Sequence, residues 1–336
     1  MTLSATNGTS LCIGQTPLQV LNLVEACLAK GVEAEFVVLW RSRRIEAQMA
    51  ALLSDLGVRR VTFLRVSGLP RLWLPFKLAR LCLRLRGSVR RVFFGTYTSW
   101  VAVLVNLLGP EETTMVDDGQ KTINILTAPH LAGLPGRAPW PLSRSFVQSA
   151  SLFTFYDALA TRLGRAAQPN RLTRVTELLR RSDVHGVEPL RSDEVLFIGT
   201  HIAHLYGRFE EDLQQVLASS DGRPVTYVLH RRDDEKGMRH LGQRLGFKVV
   251  RYDVPLELAF NAIWAPHHPE VWTFGTTATD TLTAMHDQLR VKVFRLDTSA
   301  FVRPRTGSAF SSTYKHYEGN DRVIVVPIPE SNQPAD

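Results

Sequence analysis

Residues 113–122 read TTMVDDGQKT, a short apolar run that ends in the acidic pair Asp117 and Asp118 followed by Gly119. Asp and Gly are unfavourable inside strands and common in turns, so the run predicts a strand that delivers two carboxylates into the loop at its carboxyl end. In an open α/β sheet, ligands bind at that edge. The triplet alone is typical of an ordinary solvated turn, and it is the other motifs of the chain that favour a binding site.

Elsewhere, β-rich runs alternate with helical patterns, which is typical of parallel sheets built from βαβ units. The predicted strands cover residues 10–14, 33–40, 61–66, 92–97, 113–116, 194–199, 225–230, 248–252, 271–275 and 291–296. The predicted helices cover residues 18–30, 45–56, 75–86, 100–107, 147–163, 208–218, 234–245, 256–263 and 277–286. A Pro- and Gly-rich loop is predicted at 128–145. The tail after Ser299 is less regular, with an edge strand at 323–328.

A polar segment at residues 181–193 interrupts the alternation and predicts a linker between two domains, residues 1–185 and 186–336. A chain of 336 residues suits two domains, because single hydrophobic cores rarely grow beyond about 250–300 residues. The sequence therefore predicts two α/β halves whose sheets face each other across a cleft.

Composition is that of an ordinary globular protein, with 44% hydrophobic and 21% charged residues. The net charge of +8 suits anionic partners without choosing between nucleotides, acidic glycans, nucleic acid and a membrane surface. Three scattered cysteines predict reduced core residues. The sequence contains no signal-peptide pattern and no apolar stretch long enough to span a bilayer, so we expect a cytoplasmic protein, with peripheral membrane attachment open.

Two strand ends carry candidate ligand-binding groups. Gln15 and Thr16 follow the first strand, where Thr16 is a plausible helix N-cap and the turn could also bind a sugar or carboxylate. His230 ends a strand of the second half and precedes Arg231 and Arg232. A lone histidine is often structural, but beside two cations an imidazolium could stabilise a departing phosphate.

Two further candidate sites lie later in the chain. Gly275, Thr276 and Thr277 lie between a predicted strand and a predicted helix. Gly275 permits close approach of a ligand, and the two threonines offer hydroxyl and N–H groups at the positive end of the helix. The spacing is not that of a P-loop or of a dinucleotide fingerprint. Glu257 opens a probable helix, where it complements the helix dipole or reaches ribose hydroxyls.

Histidine pairs elsewhere do not predict a metal site. His267 and His268 have no third ligand at a characteristic spacing, and neither do His201 and His204. We therefore predict a protein without a metal site.

Residues 71–91 carry seven Lys or Arg residues and no acid, interleaved with Leu, Trp and Phe. The pattern fits a crossover helix with a solvated basic face, and it equally fits a basic amphipathic helix that binds an anionic membrane. No nucleic-acid-binding module accompanies the patch, so we predict no nucleic-acid partner.

Taken together, Thr-Pro-Leu-Gln after the first strand, Asp-Asp-Gly, the strand-end histidine, Pro-x-Glu and the hydroxyl doublet make this chain similar to the bacterial sialyltransferases. These are the lipooligosaccharide sialyltransferases and the related capsular polysialyltransferases. The order and rough spacing of the motifs hold from about residue 10 to residue 297. The resemblance implies a GT-B fold of two Rossmann-like domains. It also implies inverting, metal-independent transfer from a CMP-sugar to a glycan or glycolipid acceptor, with no cofactor besides the donor.

The resemblance also implies roles for the candidate residues. Asp117 or Asp118 would be the general base, with a slight preference for Asp117. His230 would stabilise the phosphate of CMP or act as an acid, and Glu257 would bind ribose. The remaining donor-site residues would be Gly119, Gly275, Thr276 and Thr277, while Gln15 and Thr16 would bind the acceptor or sugar.

The sequence departs from the family pattern at two places. Arg231 follows His230 where the family has proline, whereas a His-Pro pair stands at His268, so both histidines remain candidates. The family's serine doublet is Thr-Thr here. These departures leave another CMP-linked acidic sugar such as Kdo as an alternative donor. A transferase of the same fold that uses a UDP- or GDP-sugar is a further alternative, and a non-catalytic two-lobed binding or assembly protein is an alternative of another class.

Overall fold

The computed structural model describes residues 9–68, 72–128, 141–180 and 187–329. The chain divides into two compact units, Met1–Ser182 and Asp183–Asp336. The sequence predicts this division between residues 185 and 186. Most of the predicted loop at 128–145, the first part of the predicted linker, and the first residue of the basic stretch 71–91 lie outside the described residues.

The first unit is built on a parallel sheet in which every described strand pair is parallel. Its strand order among the described residues is β3-β2-β1-β4-β5-β6-β7. The strands are β1 (Thr9–Gly14), β2 (Ala34–Trp40), β3 (Val61–Arg65), β4 (Val89–Phe94), β5 (Glu112–Val116), β6 (Ser151–Thr154) and β7 (Ala167–Pro169). The helices are α1 (Pro17–Lys30), α2 (Arg43–Asp55), α3 (Leu74–Leu85), α4 (Ser99–Leu108), α5 (Gln120–Thr127), α6 (Phe146–Ser149), α7 (Asp157–Arg162) and α8 (Thr173–Leu179).

The second unit also has a parallel sheet, with the order β10-β9-β8-β11-β12-β13 among the described residues. Its strands are β8 (Val195–Ile198), β9 (Val225–Val228), β10 (Lys248–Val250), β11 (Glu270–Thr273), β12 (Val291–Arg295) and β13 (Val323–Pro327). Its helices are α9 (Phe209–Ala218), α10 (Glu235–Leu245), α11 (Leu256–His267), α12 (Ala278–Met285) and α13 (Pro304–Tyr317). Each unit has its own buried apolar cluster. The predicted α/β architecture is therefore confirmed.

Local sequence explains the turn that matters most in the first unit. Thr16 accepts a hydrogen bond from the Gln19 N–H, and Pro17 occupies the first turn, so α1 begins immediately after β1. The helix ends at Gly31, whose φ of 63° suits a residue without a Cβ. The predicted N-cap role of Thr16 is confirmed.

The helix predicted at residues 147–163 is wrong. The structure has β6 between the two short helices α6 and α7 at this place. β6 pairs with β5 and β7 and is almost entirely buried, and a short apolar run has no periodicity that separates a buried strand from a helix. The tail after Ser299, which the sequence analysis describes as less regular, also contains the regular helix α13.

In both sheets the strand order reverses beside the first strand of the unit, between β1 and β4 and between β8 and β11. At such a switch point the connections leave toward opposite faces, so a crevice forms outside the carboxyl ends of the two strands. The predicted Gln15 follows β1, and the predicted Gly275 follows β11. No helix in the described ranges is both long enough and apolar enough to cross a membrane.

Candidate active site

A hydrogen-bonded chain links β1 to the acidic loop in the first unit. The Gln15 N–H donates to Gln19 Oε1 at 2.7 Å, and Gln19 Nε2 donates to Asp118 Oδ1 at 2.5 Å. Gly95 follows β4 at the switch point, and a Cβ at this position would lie 2.6 Å from Gln19 Cγ. The absence of a side chain at Gly95 therefore leaves the space through which Gln19 reaches Asp118.

Asp117 is a fully buried carboxylate that is held on both oxygens. Thr154 Oγ1 donates to Asp117 Oδ1 at 2.6 Å, and the Phe155 N–H donates to Oδ2 at 2.8 Å. Its main-chain oxygen accepts from Asn22 Nδ2 at 3.1 Å. These bonds connect the end of β5 to the end of β6 and to α1, so Asp117 has the contacts of a structural residue.

Asp118 is the acid that solvent reaches, since 11% of its side chain is exposed. Its second carboxylate oxygen lies 2.7 Å from Lys121 Nζ, and its N–H donates to Thr122 Oγ1 at 3.0 Å. Gly119, with a φ of 64°, turns the chain into α5 directly behind it. Of the two acids, Asp118 is therefore the one that a ligand could reach, whereas the sequence analysis gave a slight preference to Asp117 as the base.

In the second unit, the loops that follow β8 and β11 are joined at the switch point. Thr200 Oγ1 donates to the Gly275 carbonyl at 3.2 Å, and the Gly275 N–H donates to Thr273 Oγ1 at 3.1 Å. Gly275 has a φ of 113°, which L side chains rarely adopt. Gly199 packs so closely that a Cβ would lie 2.7 Å from the Val228 carbonyl oxygen. Both loops therefore require glycine at these positions.

The threonine doublet stands at the start of α12. Thr276 Oγ1 accepts from the Ala278 N–H at 3.5 Å, and the Tyr317 hydroxyl donates to the Thr276 carbonyl at 2.8 Å. Thr277 is the N-cap residue, and its side chain makes no capping hydrogen bond. The doublet thus combines a positive helix end with a hydroxyl that capping does not use.

His230 belongs to a cluster with His201 and Asp233. Asp233 Oδ2 accepts from the His230 N–H at 2.9 Å, and its Oδ1 lies 3.2 Å from His201 Nδ1, which donates to it. The rings of His201 and His230 stack with centroids 5.5 Å apart. His230 Nδ1 accepts from the Arg232 N–H at 3.2 Å, so the neutral ring carries its proton on Nε2.

The charge state of His230 follows from its surroundings. Burial, the nearby Arg231 and the neighbouring His201 together lower the pKa of His230 to about 3. Burial raises the pKa of Asp233, although its hydrogen bonds oppose this change. His230 is therefore neutral at neutral pH, whereas the sequence analysis considered an imidazolium at this position.

His268 lies at the wrong edge of the sheet for the His-Pro role. It is the C-cap of α11, with a φ of 49°, and its ring packs edge-on against Trp264 at 4.8 Å. β11 begins two residues later at Glu270, so His268 marks the amino end of the strand whose carboxyl end leads to Thr276. His230 follows β9 at the carboxyl edge and fits the role better. The His267 side chain lies outside the described part of the chain.

Glu257 lies in the first turn of α11 and is 8% exposed. Burial raises the pKa of its carboxyl, and the charge of Arg231 opposes that shift. Its electrostatic contact with Arg231 associates Glu257 with the His230 loop. A ribose-binding role stays a prediction.

Comparison with known proteins rests on the fold. No family model and no curated protein matches the sequence. Among solved structures, a UDP-glucosyltransferase from Polygonum tinctorium is 10% identical with a TM-score of 0.59, covering 96% of this chain and 86% of that one. The UDP-GlcNAc 2-epimerase of Neisseria meningitidis is 11% identical with a TM-score of 0.56, covering 96% and 88%. UGT2 of Phytolacca americana is 13% identical with a TM-score of 0.54, covering 97% and 86%.

The chain has the GT-B fold. The predicted fold class is confirmed. At these sequence identities, the similarity shows the fold and does not identify the substrate. The switch-point crevices of this GT-B chain are therefore interpreted from its own residues.

A metal ion is one candidate occupant of the histidine cluster in this GT-B chain. Within the described ranges, His201, His230 and Asp233 form the group whose ligand atoms, all within 4.8 Å of one another, could hold an ion. Asp233 already binds both histidine residues, and Arg231 and Arg251 contribute positive charge at His230. The donor set is of a kind that holds metal ions, whereas the positive charge of the two arginines favours an anion.

Sequence reasoning missed several residues of this arrangement. Gln19 belongs to the quoted Thr-Pro-Leu-Gln motif in the first turn of α1, and its closeness to the strand end is a signal that it could contribute to the same site as Gln15. His201 follows β8 just as His230 follows β9, so their common strand-end position could have paired them. Thr154 carries no such signal, because its partner Asp117 comes from another loop, and the same holds for the contact of Asp233 with His201.

Proposed function

We propose that the protein is an inverting glycosyltransferase that moves sialic acid, or a related acidic sugar, from a CMP-sugar to a glycan or glycolipid acceptor. The observation that carries the proposal is the Asp118 carboxylate, fixed by Gln19 at the carboxyl edge of the first sheet in a GT-B chain. A carboxylate in that place is suited to remove a proton from a hydroxyl.

The transfer is a single displacement. Asp118 takes the proton from the acceptor hydroxyl as that oxygen bonds to the anomeric carbon, while the bond from this carbon to the phosphate oxygen breaks and CMP leaves. Gln19 and Lys121 fix the two carboxylate oxygens, so the base is oriented before the acceptor binds. One displacement inverts the configuration at the anomeric carbon.

The second unit would bind the donor. Thr276 and Thr277 at the start of α12 offer hydroxyl and N–H groups to a phosphate, and Gly275 allows close approach. His230 would donate from Nε2. This hydrogen bond and the positive charge of the nearby Arg231 would offset the charge of the leaving phosphate without a metal ion. Glu257 would bind ribose.

A UDP- or GDP-sugar is the second candidate donor, and a specific feature favours keeping it. Arg231, Arg232 and Arg251 all contribute positive charge at His230, which is more charge than one phosphate requires. Solved neighbours of the same fold include proteins whose names specify UDP-sugars.

The test is calorimetric titration with CMP, CDP, UMP, UDP and GDP without added metal. We expect CMP to bind about ten-fold more tightly than UMP. Thr276→Ala should weaken binding, whereas Thr306→Ala, a control on α13, should not. Tighter binding of a uridine or guanosine nucleotide would overturn the CMP-sugar donor. Binding of none would favour a non-catalytic binding or assembly protein.

A membrane partner is proposed from one face of α3. Trp73, Phe76 and Leu83 are 65%, 69% and 75% exposed, although each is large and apolar. Their spacing along the helix puts them on one side, and Lys77 and Arg80 stand among them. Exposed aromatic and basic residues on one helix face suit the interface of an anionic bilayer.

Vesicle flotation tests this partner. With vesicles containing anionic lipid, Phe76→Ser and Lys77→Gln should each reduce bound protein, and the effect of Lys77→Gln should vanish at high salt. Leu163→Ser is the matched control, because Leu163 is exposed at the end of α7. Equal binding of all variants would contradict the membrane assignment.

A further inference from the structure

A cavity of about 610 Å³ lies at the carboxyl edge of the first sheet. Its lining comes from the loops that follow β1, β2, β3 and β4, from the start of α4, and from Lys121 and Arg144. The volume falls in the range of about 300–1,000 Å³ that is usual for small-ligand sites. The cavity belongs entirely to the first unit.

The cavity adjoins the proposed base. Lys121 lines it, and Lys121 Nζ lies 2.7 Å from Asp118 Oδ2. Gln15 lines it too, and its N–H donates to the Gln19 side chain that holds Asp118. A ligand in the cavity therefore lies against Lys121, one partner of the Asp118 carboxylate, and against Gln15, which binds the other partner, Gln19.

The charge of the lining is one-sided. It contains Arg41, Lys121 and Arg144, and no Asp or Glu among its described residues. Of these three basic residues, Lys121 is paired with Asp118. Arg41 is exposed and has no acidic partner within the described ranges, while Arg144 Nη2 donates to Ser99 Oγ at 3.4 Å.

Two further features suit a charged sugar. Ser99 begins α4, whose N-cap Thr98 makes no side-chain capping bond, so the positive end of this helix adds to the field of the arginines. Trp100 also lines the cavity, and aromatic rings pack well against the apolar faces of sugars.

We propose that this cavity binds an acceptor sugar carrying a carboxylate or a phosphate, which Arg41 and Arg144 hold while a free hydroxyl of the sugar meets Asp118. Arginine forms bidentate hydrogen bonds with either anion. The role of Asp118 here rests on the proposed function, whereas the binding of an anionic sugar does not.

The test compares three probes that share one ring and differ at C6: galactose, galacturonic acid and galactose 6-phosphate. Affinities are measured by ligand-observed NMR at low salt. We expect at least one anionic sugar to bind about ten-fold more tightly than galactose. The tighter of the two anions identifies whether the natural group is a carboxylate or a phosphate.

Variants locate the binding. Arg41→Gln and Arg144→Gln should each reduce the preference for the anionic sugar to about two-fold or less, because each removes one charge-assisted partner. Arg43→Gln is the matched control, since Arg43 is exposed on α2 two residues from Arg41 and does not line the cavity. Arg43→Gln should keep the preference.

Three results would overturn the inference: equal affinity for galactose and both anions, an unchanged preference in both arginine variants, or displacement of the anionic sugar by CMP. Its failure is separable from that of the proposed function. Anionic preference without transfer from any nucleotide sugar refutes the transferase alone. Transfer to neutral acceptors by a protein without anionic preference refutes this inference alone.

Discussion

Gln19 Nε2 donates a hydrogen bond to Asp118 Oδ1 at 2.5 Å, across 99 positions of sequence. Gln19 is 1% exposed and belongs to the first turns of α1, so a rigid helix supports the contact. Gln19, which lies beside the switch point, thus orients the Asp118 carboxylate in the loop after β5 before a ligand binds.

Removing that amide should reduce turnover more than donor affinity. We expect Gln19→Ala to lower kcat by about 10- to 100-fold, because the carboxylate loses its orientation, while the affinity for CMP stays within about two-fold. Steady-state kinetics with separate kcat and KM values make the measurement. A rise in the donor KM with unchanged kcat would show that Gln19 does not position the base.

Gly95→Ala should lower kcat as Gln19→Ala does, because it displaces the Gln19 side chain. A Cβ at residue 95 would lie 2.6 Å from Gln19 Cγ, so the glutamine must move away from Asp118. Gly207→Ala is the control, because the nearest atom to its Cβ is the Ala300 carbonyl oxygen at an ordinary 3.6 Å. Equal kcat in Gly95→Ala and Gly207→Ala would contradict the proposed arrangement.

Substitution of Asp118 should impair activity, whereas substitution of Asp117 should impair stability. Asp118→Asn should lose about 1,000-fold in kcat, as expected for removal of a general base, and should retain its midpoint of unfolding. Asp117→Ala should lower the free energy of unfolding by about 2–5 kcal/mol, because the buried Thr154 hydroxyl and Phe155 N–H lose their acceptor. Denaturant unfolding and single-turnover kinetics distinguish them. Near-normal transfer by Asp118→Asn would refute the assignment.

Acidification should destabilise the protein in part through His230. Its pKa is about 3 in the folded chain against 6.5 for the ordinary residue, so the unfolded chain binds the proton first as the pH falls. This stability is present above about pH 6.5 and decreases toward pH 3, by at most about 1.4 kcal/mol per pH unit. His230→Gln should reduce the dependence of the free energy of unfolding on pH between pH 6.5 and 4. His240→Gln, a control on the exposed side of α10, should leave this dependence unchanged.

Gly275→Ala should impair the donor site and leave the first unit intact. At a φ of 113° a Cβ introduces backbone strain of about 1–3 kcal/mol, although the nearest atom, Tyr314 Cε1, is 3.5 Å away. We expect CMP affinity to fall by about ten-fold or more, while galacturonic acid still binds the first-unit cavity. Nucleotide and sugar titrations of the same variant make the comparison. Undiminished CMP binding would remove Gly275 from the donor site.

The sequence by itself determined the layered plan of this protein. Alternating β-rich and helical segments predict parallel sheets, and Thr16 and Pro17 indicate the turn after the first strand. These features are local, since capping, turn chemistry and side-chain periodicity depend on neighbours in sequence. For the same reason the acids at 117 and 118 could be placed at a strand end.

Tertiary structure decided what each of these residues can do. Asp117 and Asp118 are indistinguishable in sequence, but β6 supplies Thr154 and Phe155 to one of them and α1 supplies Gln19 to the other. β6 itself was mistaken for part of a helix, because burial on both faces removes its periodicity.

The same limit applied to the histidines and to the cavity. His230 and His268 look alike as candidates until the direction of β11 puts His268 at the amino edge and the parallel β9 puts His230 at the carboxyl edge. Arg41 and Arg144 are about a hundred positions apart in sequence, and both line the cavity at the edge of the first sheet. Proximity between distant segments arises from strand order and packing, and no local pattern encodes it.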